Sequence, residues 1–200
     1  MTDHVLLYIS AAPDLQAERD LLGRAVTEVP VNLGWRIVQS PVKDKPIDVE
    51  AVTQAGVHLL LLGGDIRAPI GQEWVVARRA GRLPVCLLKS GITRTPAAQS
   101  FARFIKEQTA WQAFKGTADL RTTVLNHLAR YLLGRTGYYA LTQVEAASLQ
   151  SWQAKLEGSS RTAAGEVGGA GESGVVLSPE RYVPSEGILI GGSQDNLQNS

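Results

Sequence analysis

The sequence predicts an α/β chain built on an open, doubly wound, parallel sheet of five strands, with one additional helix toward the C-terminus. Three observations predict it. The first is Val57-His58-Leu59-Leu60-Leu61-Leu62, closed by Gly63-Gly64-Asp65. A run that is apolar at both parities reads as a strand buried on both faces. The second lies just beyond that run: a loop over residues 66–70 punctuated by Pro69, a short helix over 71–80 stopped by Gly81, and a second apolar run, Pro84-Val85-Cys86-Leu87-Leu88-Lys89. Strand, helix and strand within roughly 30 residues make a βαβ unit, whose two strands lie parallel. The third is that this alternation recurs on both sides of the central run.

In chain order, His4 to Ser10 is a first strand, and Ala11-Ala12-Pro13 a tight connection. Asp14 is an N-cap for a helix over 15–29, closed by Pro30. Leu15, Leu22, Ala25, Val26 and Val29 share one face of it. Trp35 to Gln39 is a second strand, and Asp48 caps a short helix through Ala55. After the central unit, Thr95-Pro96 pairs an N-cap with a proline at the first helical position. That helix runs to about Gln108, with Phe101, Phe104 and Ile105 as its apolar stripe. Residues 110–115 are a last strand, and Thr117 caps a helix over 118–133 striped by Leu120, Val124, Leu125, Leu128, Tyr131 and Leu132. Five βα units of this kind describe a sheet of the flavodoxin type.

The pattern then changes. Residues 1–134 hold the α/β domain. Within 135–157, Thr142-Gln143-Val144-Glu145 is a capping box opening a further helix to about Glu157, with Val144, Ser148, Trp152 and Leu156 along one side. Residues 158–200 read as a glycine-rich tail or linker.

Bulk properties narrow the function classes. The 200 residues carry a net charge of +1, without the basic excess that marks a nucleic-acid or anionic-membrane surface. Only Arg78, Arg79 and Arg82 cluster along the chain, and a helix C-terminus accounts for them. No apolar run approaches the ~18 residues of a membrane span. Cys86 is the single cysteine, which excludes a disulfide within the chain and speaks against a cysteine-based zinc site. The expectation is a cytoplasmic protein with no metal and no nucleic-acid or membrane partner.

Candidate site residues gather where open α/β sheets place their ligands, beyond the carboxyl ends of the strands. Ser10, Asp14 and the amides near Ala12 form a strand-to-helix turn able to hold a phosphate; a plain N-cap is the competing role for Asp14. Asp65 and Arg67 follow the central strand, in reach of a ribose hydroxyl or phosphate, or as a local ion pair. Glu73 falls in the first turn of its helix, where the dipole favours an acidic residue by ~0.3–1 kcal/mol. His4, His58 and His127 show no metal-ligand spacing, and no Ser-His-Asp order, P-loop or Cys/His cluster is present.

One resemblance adds to this. Tyr8-Ile9-Ser10-Ala11-Ala12-Pro13-Asp14-Leu15-Gln16-Ala17-Glu18-Arg19 is similar to the opening of the bacterial domain-of-unknown-function family 4062, a TIR-like module often found ahead of signalling NTPases. Three stretches agree in order and spacing: Leu59 to Gly64, Glu73-Trp74-Val75-Val76-Ala77 leading to Pro84-Val85, and Phe114 to Leu128. Together they cover roughly residues 4 to 133. The chain departs from the family at two loops: Ala11-Ala12 stands where small hydroxyl residues are usual, and Ala68-Pro69 where a Tyr-Gly pair is. The resemblance implies a signalling or defence module that works through protein partners or self-association. It also matches Glu73, by its spacing to Ala77, to the glutamate with which TIR domains cleave the nicotinamide–ribose bond of NAD. A carboxylate there stabilises or traps an oxocarbenium-like ribose. The alternative function it implies is therefore a NAD-cleaving or nucleotide-processing effector, with NAD as substrate.

Overall fold

The computed structural model of the chain describes residues 4–41 and 45–168. Strands β1 (His4–Ala11), β2 (Gly34–Gln39), β3 (Val57–Leu62), β4 (Val85–Lys89) and β5 (Gln112–Phe114) form one sheet in the order β2-β1-β3-β4-β5. All four neighbouring pairs are parallel. This is the flavodoxin order. β3 lies at its centre with every residue buried, as its unbroken apolar run predicts.

Helices α1 (Gln16–Ala25), α2 (Val49–Gln54), α3 (Ala68–Arg79), α4 (Pro96–Lys106), α5 (Thr117–Leu133) and α6 (Gln143–Gly168) cover the sheet. Side-chain alternation along each strand sorts them. Val5, Leu7, Ile9, Leu59 and Leu61 pack with Leu22, Leu125, Leu128 and Leu149, so α1, α5 and α6 take one face. Leu6 and Tyr8 pack with Val52 and Ala77, while Leu60 and Cys86 pack with Trp74 and Ile105, so α2, α3 and α4 take the other. None of the described helices is long and apolar enough to cross a membrane.

Several boundaries differ from those predicted. α3 begins at Ala68 and not at Gly71, because Pro69 occupies the start of the helix, where its missing N–H costs nothing. Glu73 therefore lies beyond the first turn, and the dipole role does not apply to it. The first helix enters through a 3₁₀ turn, Pro13–Leu15, and leaves through another, Val26–Glu28, with α1 between them. Asp14 caps neither. α4 ends at Lys106, and Phe104 in its expected stripe is 46% exposed. β5 is shorter than predicted; Trp111 lies outside it and donates its ring N–H to the Ala102 carbonyl at 2.9 Å. Gly116 and not Thr117 caps α5, and Asp119 turns back to accept from the Lys115 N–H at 2.9 Å.

The capping box at Thr142 and Glu145 forms in both directions, 2.9 and 3.2 Å. The second half of the predicted stripe holds, with Trp152 and Leu156 packed on the core, but the first half does not: Leu149 is fully buried in place of Ser148, and Val144 is 79% exposed. α6 then continues to Gly168, past both Glu157 and the expected start of the linker at Gly158. The glycines at 158 and 165, each ~1 kcal/mol less favourable than alanine within a helix, do not end it. Residues 169–200 of the expected tail lie outside the described residues.

Candidate functional site

The crevice at the carboxyl ends of β1, β2 and β3 holds a cavity of about 290 Å³. Its walls come from Ala11, Ala12 and Pro13 after β1, Ser40 and Pro41 after β2, and Arg67, Pro69 and Ile70 entering α3. Ala11, Ala12, Pro13, Pro41, Pro69 and Ile70 make most of that wall apolar. The Arg67 side chain is exposed and pairs with no other described residue, and among the described residues lining the cavity it is the one cation.

Directly beneath this cavity lies a closed polar network. Glu73, on the inward face of α3, has no exposure to solvent. Its Oε1 accepts from the Tyr8 hydroxyl at 2.7 Å, and its Oε2 accepts from the Ser40 hydroxyl at 2.7 Å. Burial, and behind it the Glu73 charge and hydrogen bond, push the Tyr8 phenol above its ordinary pKa, so it remains a donor. Ser40 also accepts from the Ala11 N–H at 3.3 Å, and its carbonyl accepts from Arg19 at 2.9 Å. The Arg19 guanidinium is itself buried and forks onto Gln39 Oε1 at 3.2 and 3.0 Å. Buried charges persist only when hydrogen-bonded, and here one serine bridges a buried guanidinium to a buried carboxyl. Ser40 is a strut of the crevice wall and not a free hydroxyl.

Ser10, expected in the phosphate-binding turn, is also fully buried, and its hydroxyl lies 2.7 Å from His58 Nε2. His58 stands edge-on to Tyr8, with 5.2 Å between ring centroids. Desolvation pushes its pKa down to about 4, and Nδ1 has no partner among the described residues. Asp14 Oδ2 accepts from the Gly64 N–H at 2.8 Å, tying the turn after β1 to the end of β3. A Cβ on Gly63 would stand 2.4 Å from that carboxylate oxygen, so the glycine permits the close approach. Asp65 does not pair with Arg67: its Oδ1 accepts from the Ile66 N–H and from the Thr95 hydroxyl, at 2.8 and 2.9 Å. A half-buried ion pair between Glu18 and Lys89, 2.6 Å, closes the same end of the sheet.

Of the predicted site residues, then, only Arg67 faces the cavity. Ser10 and Glu73 lie behind its wall, and Asp14 and Asp65 brace the loops at its rim. Among the described residues no group of three or more His, Cys, Asp or Glu is placed to hold a metal ion. No family model, curated protein or solved structure matches the chain.

Sequence reasoning missed Tyr8, Ser40, His58 and Arg19. One signal was present. Tyr8 and Ser10 share a parity in β1, and His58 interrupts the apolar run of β3, so polar groups were aimed into a buried face where they had to find partners. No spacing along the chain tied that signal to Ser40 or Glu73, which lie 33 residues apart.

Proposed function

We propose that the chain is a TIR-like signalling or defence module that acts through protein–protein contact, including self-association, and does not cleave a nucleotide. The observation that carries this reading is the position of Glu73. A carboxylate that stabilises an oxocarbenium-like ribose must touch it; this one has no exposure, and both its oxygens are engaged by Tyr8 and Ser40. The loops at the crevice favour the same reading, because Ala11 and Ala12 offer no side-chain donors to a pyrophosphate.

The test is nicotinamide release from NAD by the full chain, over protein concentrations that drive self-association, with sedimentation velocity on the same samples. Association that grows with concentration, and no nicotinamide at any concentration, is the expected result. Nicotinamide released by the wild-type chain overturns the reading, and so does a chain that stays monomeric throughout.

A further inference from the structure

At the opposite pole of the sheet, where β1 and β3 begin, the fold gathers arginines that lie far apart in sequence. A groove of about 560 Å³ opens there, lined by Arg36 from β2, Arg82 after α3 and Arg135 after α5, together with Tyr131, Tyr138 and Tyr139. It adjoins a hollow of about 450 Å³ that shares Gly56, Arg82, Tyr131 and Arg135. Among the described residues, no aspartate or glutamate lines either. In a chain of net charge +1, this is a local concentration of positive charge. The C-termini of α2, α3 and α5 converge on this pole and attract cations in their last turns. Arg36 stands on a strand, however, and Arg82 and Arg135 lie beyond the helix ends, so the helix dipoles do not account for all three.

The groove is built and not merely charged. Tyr131 and Tyr139 join their hydroxyls at 2.7 Å on its floor. Gly56 permits this, since a Cβ there would stand 2.6 Å from the Tyr131 oxygen. Arg135 lies over the Tyr131 ring, 4.3 Å from its centroid, which holds the guanidinium at the wall. Tyr138 stands edge-on to Tyr139, 4.9 Å between centroids, and is 60% exposed. Arg36, Arg82 and Arg135 form no ion pair with another described residue, whereas Arg130 nearby is paired with Glu157 at 3.0 Å.

The geometry points to a binding site for a phosphorylated ligand with a planar ring, of the nucleotide class, whose phosphates are held by Arg36, Arg82 and Arg135 and whose ring stacks on Tyr138. Guanidinium forks match phosphate oxygens in pairs, an exposed aromatic face suits a base, and the volume lies in the range of small-molecule sites. The site is remote from Glu73 and goes beyond the function proposed above, with which it neither stands nor falls.

Isothermal titration of the full chain with ADP tests it, with inorganic pyrophosphate and adenosine as partial probes. ADP is expected to bind saturably and more tightly than either fragment. Arg36→Gln and Arg82→Gln should each weaken ADP about tenfold or more. Tyr138→Ala should weaken ADP but not pyrophosphate, and Arg67→Gln at the other pole should change nothing. All these side chains are exposed, and thermal melts of the variants check that the fold is kept. Absence of saturable ADP binding, indifference to Arg36→Gln and Arg82→Gln, or loss with Arg67→Gln overturns the assignment. Pyrophosphate binding as tightly as ADP also overturns it, as does tighter binding by a single-stranded oligonucleotide or an acidic peptide that displaces ADP.

Discussion

Glu73 shows how one buried carboxyl can be structural in a place where chemistry was expected. Replacing it with alanine leaves the Tyr8 and Ser40 hydroxyls without their acceptor, at ~1–3 kcal/mol for each orphaned group. Chemical denaturation of Glu73→Ala should therefore report a loss of ~2–6 kcal/mol, and Glu73→Gln a smaller loss, since its amide offers an acceptor to only one of the two hydroxyls. Tyr8→Phe should cost ~1.5–3 kcal/mol and add little once Glu73 is already alanine, because the two residues share one interaction. A Glu73→Ala chain as stable as wild type would contradict this account.

His58 gives a pH signature at the same scale. Its pKa falls to about 4 in the folded chain through desolvation, against about 6.5 when unfolded. Between those values the unfolded chain binds a proton that the folded chain refuses, so stability rises with pH there and is level on either side. The contribution lost on acidification from pH 6.5 to 4 is on the order of 3 kcal/mol. Urea titrations across that window should show the slope, and His58→Gln should flatten it; an unchanged slope in His58→Gln would assign it to other groups.

At the scale of elements, β3 and α6 make contrasting cases. Leu60 and Leu61 are both fully buried but belong to clusters on opposite faces. Truncating either to alanine should cost ~2–5 kcal/mol, and the double variant should be near additive, because the two side chains share no neighbours across the sheet. On α6, Leu149→Ala should cost a comparable ~2–5 kcal/mol, while Val144→Ala should stay within ~0.5 kcal/mol. A large effect at Val144 would restore the stripe predicted from sequence. The predicted stripe failed only at its start, because Val144 and Leu149 are both apolar and both lie within reach of the face that carries Trp152 and Leu156. Periodicity allowed either to lead, and docking against α5 decided between them.

For the molecule as a whole, α6 is part of the core and not an appendage, since Leu149, Trp152 and Leu156 join the same cluster as β1, β3 and α5. A chain stopped at Leu141 should expose the α5 side of that cluster, lower the urea midpoint and reduce the m-value relative to a chain keeping α6. An unchanged midpoint would return α6 to the status of a separate helix.

The sequence by itself determined the class of fold, the place of β3 at its centre and the faces of α1 and α5. Those depend on apolar periodicity and on Gly and Pro punctuation, which are local. It also determined the caps at Asp48 and Thr95, whose partner amides lie three residues away. Only the tertiary structure decided which way Glu73 faces, that Ser40 stands between it and the crevice, and that Arg36, Arg82 and Arg135 share one groove. Each of these brings together groups tens of residues apart. Which of them meet is set by strand order and by how each helix settles on the sheet, and neither is written in the spacing along the chain.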